Sequence, residues 1–351
     1  MKKVVVPILL IMLISVMVGC GSSVEGKTET DKLTTNPYKE TAFLMGTVVT
    51  VKIYDEDKQA VLKPVFERIN SLAEQIATEE TDSEIDKVNQ KAGLQSVKVT
   101  EDVYQLIKAG LAHSTSASGS FDITIGPLTS LWHIGFDDAR KPEQSEIDEV
   151  LPLIDYAKVE LDEKEQTVFL QEKGMKLDLG AIAKGFIADQ VVEVLKEHNV
   201  TTAIVDLGGN IYVLGNNPSG EPWTVGIQDP FSARGEVIGK LPETNKSIVT
   251  SGIYERYLEV DGVKYHHLLN PVDGYPFQNK IAGVSIISDK SIDGDALSTT
   301  VFSKGLEDGM KYLEKMEGVE AIFVSTDKKV YVTSGLEEFT LTNKAFQMGE
   351  Q

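Results

Sequence analysis

The sequence predicts an α+β fold of mixed, largely antiparallel sheets with helices interspersed. Three observations lead there. Alternating β-branched runs come in pairs joined by short turn signals, and amphipathic runs of helical period recur between them. No regular β-α-β alternation links the two, as a doubly wound parallel sheet would require. The chain has 351 residues, 41% hydrophobic and 25% charged, which suffices for one unit with a real core.

From the N-terminus, Lys2 and Lys3 precede an apolar run over Val4–Val18, and "MVGC" closes it at Cys20. That run is too short to span a bilayer and fits a signal-peptide core. The boundaries expected are a signal peptide over 1–19, a polar, flexible tether over 20–37, and a single domain over 38–351. Cys20 is the only cysteine, so no disulfide forms within the chain.

"GTVVTVKIY" reads as a strand. Leu62, Val65, Ile69, Leu72 and Ile76 recur at helical spacing, as do Val103, Leu106, Ile107 and Leu111 behind a capping Thr100. "VELDEKEQTVFL" and "YLEVDGVKYHHL" are hairpins, the second turning at Asp261–Gly262. "TTAIVDLGGNIYVLG", "IAGVSIIS" and "EAIFVSTDKKVYVT" add strands, and a helix is expected over about 296–315.

The net charge of −20 makes the surface repel phosphate backbones, so nucleic acid is not a partner. An acidic chain that handles a phosphorylated ligand needs a metal ion or local cations, and five clusters offer the means. In "KLDLGAIAKGFIADQVVEVLKEH" a short strand delivers Asp178 into a glycine turn, and a helix follows over about 181–198. Lys184 precedes Gly185 instead of following it, so the turn is not a Walker A loop. A plain connection carrying a surface lysine explains the cluster equally well.

In "SGSFDITIGPLTSLWHIG", Phe121 and Trp132 either stack on a flat ring or belong to the core, and Asp122 is placed to hydrogen-bond a ring edge. "DLGGN" makes a tight turn. His266 and His267 end a hairpin strand and point to opposite faces, so only one faces a given pocket. In "SIDGDALSTT", a helix beginning near Asp295 puts Asp295 and Thr299 on one face. These are hard oxygen ligands of the kind Mg²⁺ takes. The competing reading is a helix N-cap at Asp293 or Asp295.

Taken together, "MGT", "SFDITIGPL", "LDLGAIAKGFIAD", "DLGGN", "TSGIYERY", "HHLLNPVDGYP" and "DGDALSTT" occur in order between Met45 and Thr300. The chain resembles the ApbE family, the FAD:protein FMN transferases. The resemblance implies a mixed α+β fold and Mg²⁺-dependent transfer of FMN from FAD to a threonine or serine hydroxyl of an exported acceptor protein, with release of AMP. It implies Asp295, Thr299 and the Ala181 carbonyl as Mg²⁺ ligands. Met45, Ser120, Phe121, Asp122, Asp178 and Lys184 become FAD contacts, and His267 the functional histidine and first choice of base, with Asp295 second. "VMVGC" resembles a lipoprotein signal, which places the protein outside the cytoplasm, anchored to the membrane by lipid on Cys20. Glu79 stands where the family usually has an aromatic residue against the flavin or adenine. An Mg²⁺-dependent FAD pyrophosphatase and a flavin-binding lipoprotein without chemistry are the rival readings.

Overall fold

The computed structural model describes residues 32–78 and 82–350. Cys20, the expected signal peptide, most of the tether and Glu79 lie outside the described residues.

Strands β1 (Leu33–Leu44) and β2 (Thr47–Asp55) form a hairpin that turns at Met45–Gly46. The pairing Leu33↔Asp55 brings Leu33–Pro37 into β1, although their composition placed them in the tether. An edge strand needs only backbone partners on one side, so polar composition did not reveal it.

Helices α1 (Leu62–Ile76) and α2 (Glu84–Gln90) follow, the second capped by Ser83, which accepts from the Asp86 N–H. After β3 (Val97–Lys98), α3 (Glu101–Ser116) begins behind Thr100 as expected. The Thr100 hydroxyl donates to Gln75 and makes no cap bond. Two short helices, α4 (Gly126–Trp132) and α5 (Gln144–Val150), lead to the hairpin β4 (Val159–Asp162) and β5 (Thr167–Leu170).

Helix α6 (Ala183–Glu197) precedes the hairpin β6 (Ala203–Leu207) and β7 (Asn210–Leu214). Strands β8 (Trp223–Gln228), β9 (Val237–Glu243) and β10 (Lys246–Gly252) come next. The hairpin β11 (Tyr257–Val260) and β12 (Val263–His266) turns at Asp261–Gly262, both at positive φ, as the sequence predicts. The chain ends with β13 (Ile281–Ser288), α7 (Ser291–Leu313), β14 (Glu320–Ser325), β15 (Lys329–Val332), β16 (Thr340–Leu341) and β17 (Gln347–Met348).

The main sheet runs β1-β2-β6-β7-β10-β13-β14-β15-β17. Its ladders are antiparallel except β15 with β17, so the predicted fold class is the one observed. β13 is buried at every position. On one face α7 packs Leu297, Val301 and Phe302 against Val284, Ile286 and Phe323. On the other, Ile287, Ile322 and Val324 meet Val225, Ile227 and Leu241 of β8 and β9. A strand covered on both faces reads as a continuous apolar run, which "IAGVSIIS" is. α1, α3 and α6 close the largest core over β2 and β6.

Three local expectations change. Asp178 is delivered by extended chain rather than a strand, tied by its N–H to the Ile123 carbonyl and by Asn89 to both backbone groups of Leu177. Helix α6 starts at Ala183, two residues later than the glycine turn suggested. Helix α7 starts at Ser291, well before Ala296, because its first N–H groups find an acceptor that the local sequence does not contain.

Candidate active site

That acceptor is Asp189 on α6. Its carboxylate takes the Ser291 N–H at 2.7 Å and the Ile292 N–H at 3.0 Å. The N-cap position itself is Lys290, without a side-chain cap bond. Neither Asp293 nor Asp295 is the N-cap, so that reading is overturned. Asp293 lies in the first turn and pairs with His113 of α3 at 3.1 Å. Asp295 sits one turn inside the helix and is therefore released for other work.

Asp295 is 3% exposed. Its Oδ1 lies 3.3 Å from Lys184 Nζ, and its Oδ2 accepts the Gly185 N–H at 2.9 Å. The first turn of α6 thus lies against the second turn of α7. The contact needs a glycine, since a Cβ on Gly185 would meet the Ser291 carbonyl oxygen at 2.3 Å. Because Gly185 donates to Asp295, no hydrogen bond from a described residue reaches the Ala181 carbonyl one turn back. Thr299 shares the Asp295 face of α7, and its hydroxyl has no partner among the described residues, whereas neighbouring Ser298 and Thr300 bond back to their own helix.

A buried carboxylate with an unpartnered carbonyl and hydroxyl nearby fits a hard divalent cation such as Mg²⁺. No three His, Cys, Asp or Glu side chains gather into a metal cluster among the described residues. That suits a site of one acid completed by neutral oxygens, waters and substrate phosphates.

The two histidines separate cleanly. His266 is buried, its Nε2 donating to the Phe277 carbonyl at 3.0 Å and its Nδ1 accepting the Leu268 N–H at 3.3 Å, with Phe302 at its edge. Both ring nitrogens are used. His267 donates from Nδ1 to the Arg256 carbonyl at 3.3 Å, which leaves Nε2 without a partner among the described residues. Burial pushes the His267 imidazole down to about 4, and the nearby charges of Arg256 and Lys184 act in the same direction. His267 is therefore neutral near pH 7, with its free nitrogen ready to accept a proton.

Asp178 Oδ2 accepts from the Thr129 hydroxyl at 2.7 Å and Oδ1 from the Gly180 N–H at 2.8 Å, fixing the glycine turn that leads to Lys184. Met45 has φ of 54°, a left-handed conformation rare for a bulky residue and common at functional turns. Beside that turn, Thr47 packs so closely on Gly208 (φ 70°) that a Cβ there would meet its Oγ1 at 2.1 Å.

The Ser120–Asp122 run is less open than the sequence suggests. Ser120 donates to the Ala117 carbonyl at 2.9 Å, and Asp122 accepts from the Thr124 N–H and hydroxyl and the Tyr156 N–H. Burial nevertheless raises the Asp122 carboxyl above its ordinary range. Phe121 at 3% and Trp132 at 0% exposure are core residues, and Trp132 donates to the Gly274 carbonyl. Neither ring has a face open for stacking.

The structure thus brings Lys184, Asp295 and His267 together, with the Ala181 turn and Thr299 alongside. Asp189, Arg234 and Arg256 also shape the site, and no local sequence signal points to them. Asp189 closes "LDLGAIAKGFIAD", but its partners are a hundred residues away and no local spacing points to them.

The ApbE family model matches residues 45–323. An FAD:protein FMN transferase of Klebsiella pneumoniae is 39% identical over 85% of this chain and 92% of its own length. One of Treponema pallidum is 35% identical over 85% and 87%. The crystal structure of the ApbE protein of Thermotoga maritima superposes with a TM-score of 0.79 at 30% identity, covering 86% of this chain and 98% of that one. The flavin transferase ApbE of Vibrio cholerae shares the fold at a TM-score of 0.75 and 24% identity, over 86% and 99%. With the family model spanning most of its length, this chain belongs to the ApbE family.

Proposed function

We propose that the protein is an Mg²⁺-dependent FAD:protein FMN transferase acting on a threonine or serine hydroxyl of an exported acceptor. The observation that carries this reading is the pairing of two unlike groups beside Lys184: a buried carboxylate, Asp295, with free oxygens around it, and a neutral His267 with one free nitrogen. A binding protein without chemistry has no need of the second.

Asp295, Thr299 and the Ala181 carbonyl would hold the cation. Once bound, it supplies a Lewis acid that neutralises charge on the pyrophosphate. His267 Nε2 accepts the proton of the acceptor hydroxyl as its oxygen attacks the flavin-side phosphorus. The P–O bond to the adenylate breaks, and AMP leaves with the bonding pair. The Arg256 carbonyl holds the His267 tautomer that keeps Nε2 unprotonated. Lys184 places a positive charge 3.3 Å from Asp295 and near enough to His267 to disfavour its protonation, and the Met45 and Asp178 turns shape the floor for the dinucleotide.

The test is incubation with FAD and Mg²⁺, with and without a threonine-bearing acceptor, reading AMP and acceptor mass. AMP and a flavinylated acceptor that both require acceptor and Mg²⁺ support the reading. AMP at the same rate without acceptor makes the protein a pyrophosphatase, and no AMP makes it a carrier. The protein works outside the cytoplasm, tethered through lipid on Cys20. Cys20→Ser should move it from the membrane fraction to the soluble one.

A further inference from the structure

The chain has four arginines among 54 acidic residues, and they divide evenly. Arg68 forks onto both oxygens of Asp102 at 2.6 and 2.7 Å, and Arg140 onto both oxygens of Glu146 at 2.7 Å each. The other two are exposed and, among the described residues, have no carboxylate within ion-pair distance. One nitrogen of Arg234 donates to the Gly208 carbonyl at 3.0 Å, and among the described residues the Arg256 guanidinium has no hydrogen-bond partner.

Both lie over the glycine turns at the site. A Cβ on Gly46 would come within 3.3 Å of Arg256 Nη2, and one on Gly135 within 3.0 Å of its Cδ. A Cβ on Gly209 would lie 3.7 Å from Arg234 Nη2. The Gly46 and Gly208 turns touch through Thr47, so the two guanidiniums occupy one rim. Arg256 also holds His267 by its carbonyl, which fixes this rim beside the proton acceptor.

We infer that Arg234 and Arg256 are specificity-determining residues that recognise the phosphate oxygens of a bound nucleotide. In a protein this acidic, guanidiniums left without carboxylates keep their donors free for an anion. Arginine stays charged at every relevant pH, and its planar fork matches phosphate geometry. Glycine beneath each side chain removes the bulk that would keep the anion from backbone and guanidinium together. The inference rests on the flavin-transfer reading only in taking the anion to be a nucleotide phosphate.

The experiment compares ligands that differ by one phosphate: FMN with riboflavin, and AMP with adenosine. Binding is measured by fluorescence or calorimetry in EDTA, so that metal plays no part. Wild-type protein, Arg256→Gln, Arg234→Gln and the double variant are compared, with melting temperature as the check on folding. Wild type should prefer FMN to riboflavin, AMP to adenosine, or both, by at least about 10-fold. Each single variant should reduce that preference, and the double variant should bring it within about twofold while riboflavin and adenosine bind as before. Loss confined to the FMN pair assigns the rim to the transferred half, and loss confined to the AMP pair assigns it to the departing half. No phosphate preference in wild type, or an undiminished one in the double variant, overturns the inference. The acceptor assay above is read separately, so transfer without a rim effect sinks the rim alone, and a rim effect without transfer sinks the reaction alone.

Discussion

The junction of α6 with α7 and the rim of turns facing it handle charge in opposite ways. At the junction the carboxylates are buried or half-buried and already partnered within the protein. Asp189 holds two backbone N–H groups of α7, and Asp295 lies between Lys184 and the Gly185 N–H. Around the rim, donors and acceptors are left open: His267 Nε2 and most of both guanidiniums. Burial fixes positions before substrate arrives, and bonds that are always present offset part of the cost of desolvation. Open groups leave their bonding capacity for the ligand. Changes at the junction should therefore damage geometry, stability and turnover together, whereas changes at the rim should damage turnover or selectivity alone.

Asp295→Asn gives the largest effect and sharpens that contrast. Asparagine still accepts the Gly185 N–H but removes the charge that favours a cation. A Lewis acid contributes several kcal/mol to such a transition state, so FMN transfer should fall at least about 10³-fold. The variant should also need far more Mg²⁺ for half-maximal rate. Wild-type turnover with an unaltered Mg²⁺ titration removes Asp295 from the metal.

His267→Ala comes next and sets the rim against the hairpin interior. Loss of a general base should lower transfer about 10²- to 10⁴-fold while FAD binding and melting temperature stay near wild type. His266→Ala does the reverse. It strands the Phe277 carbonyl and the Leu268 N–H, costs about 1–3 kcal/mol of stability, and leaves turnover per folded molecule close to normal. The sign for His267 follows from its lowered pKa of about 4. The imidazole is neutral and active above that value, so the acid limb of kcat/KM should fall as pH drops through about 4. The stability linked to its neutral form is present above about 6.5, its unfolded range, and is lost as pH falls through the same region. A limb near 6.5 would mean that His267 is not desolvated in the free enzyme.

The same division separates what the sequence reveals from what it hides. Hairpins, the α+β class and the shared helix face of Asp295 and Thr299 are legible because they depend on residues close in sequence with a fixed period. The opposite faces of His266 and His267 follow from strand geometry alone. The start of α7 is not legible locally because its capping acceptor, Asp189, comes from another helix, while the nearest acids, Asp293 and Asp295, lie inside α7. Trp132 and Phe121 were open to two readings, since an aromatic ring suits a core and a stacking site equally. Arg256 carries no signal beyond its motif: only the fold shows that Arg68 and Arg140 find carboxylates while Arg256, among the described residues, does not.

Gly185→Ala tests the junction directly. The added methyl would lie 2.3 Å from the Ser291 carbonyl oxygen, a backbone atom that cannot swing aside. Overpacking of this kind costs about 1–3 kcal/mol. Separating α6 from α7 also draws the Gly185 N–H and Lys184 away from Asp295, so Mg²⁺ dependence should weaken along with melting temperature. A variant as stable as wild type would show that the helices have slack.

Asp189→Asn should have the smallest effect at pH 7, and it is informative through its pH dependence. Capping bonds are worth about 0.5–2 kcal/mol, and asparagine keeps one strong acceptor oxygen where the carboxylate has two. Burial raises the Asp189 carboxyl to about 6, although the two N–H groups it receives act to lower it. A carboxyl whose folded pKa lies above its unfolded value, near 3.9, favours the fold most when protonated. Its contribution is full below about 3.9 and is lost as pH rises through about 6. Between those limits wild-type stability should decline relative to Asp189→Asn as pH increases, then run parallel to it above pH 7. Melting temperatures of both proteins across pH 4–8 measure the difference. Parallel curves throughout would mean that the carboxylate is as well solvated by its two backbone donors as by water, and the junction would then owe its order to packing at Gly185 rather than to the cap.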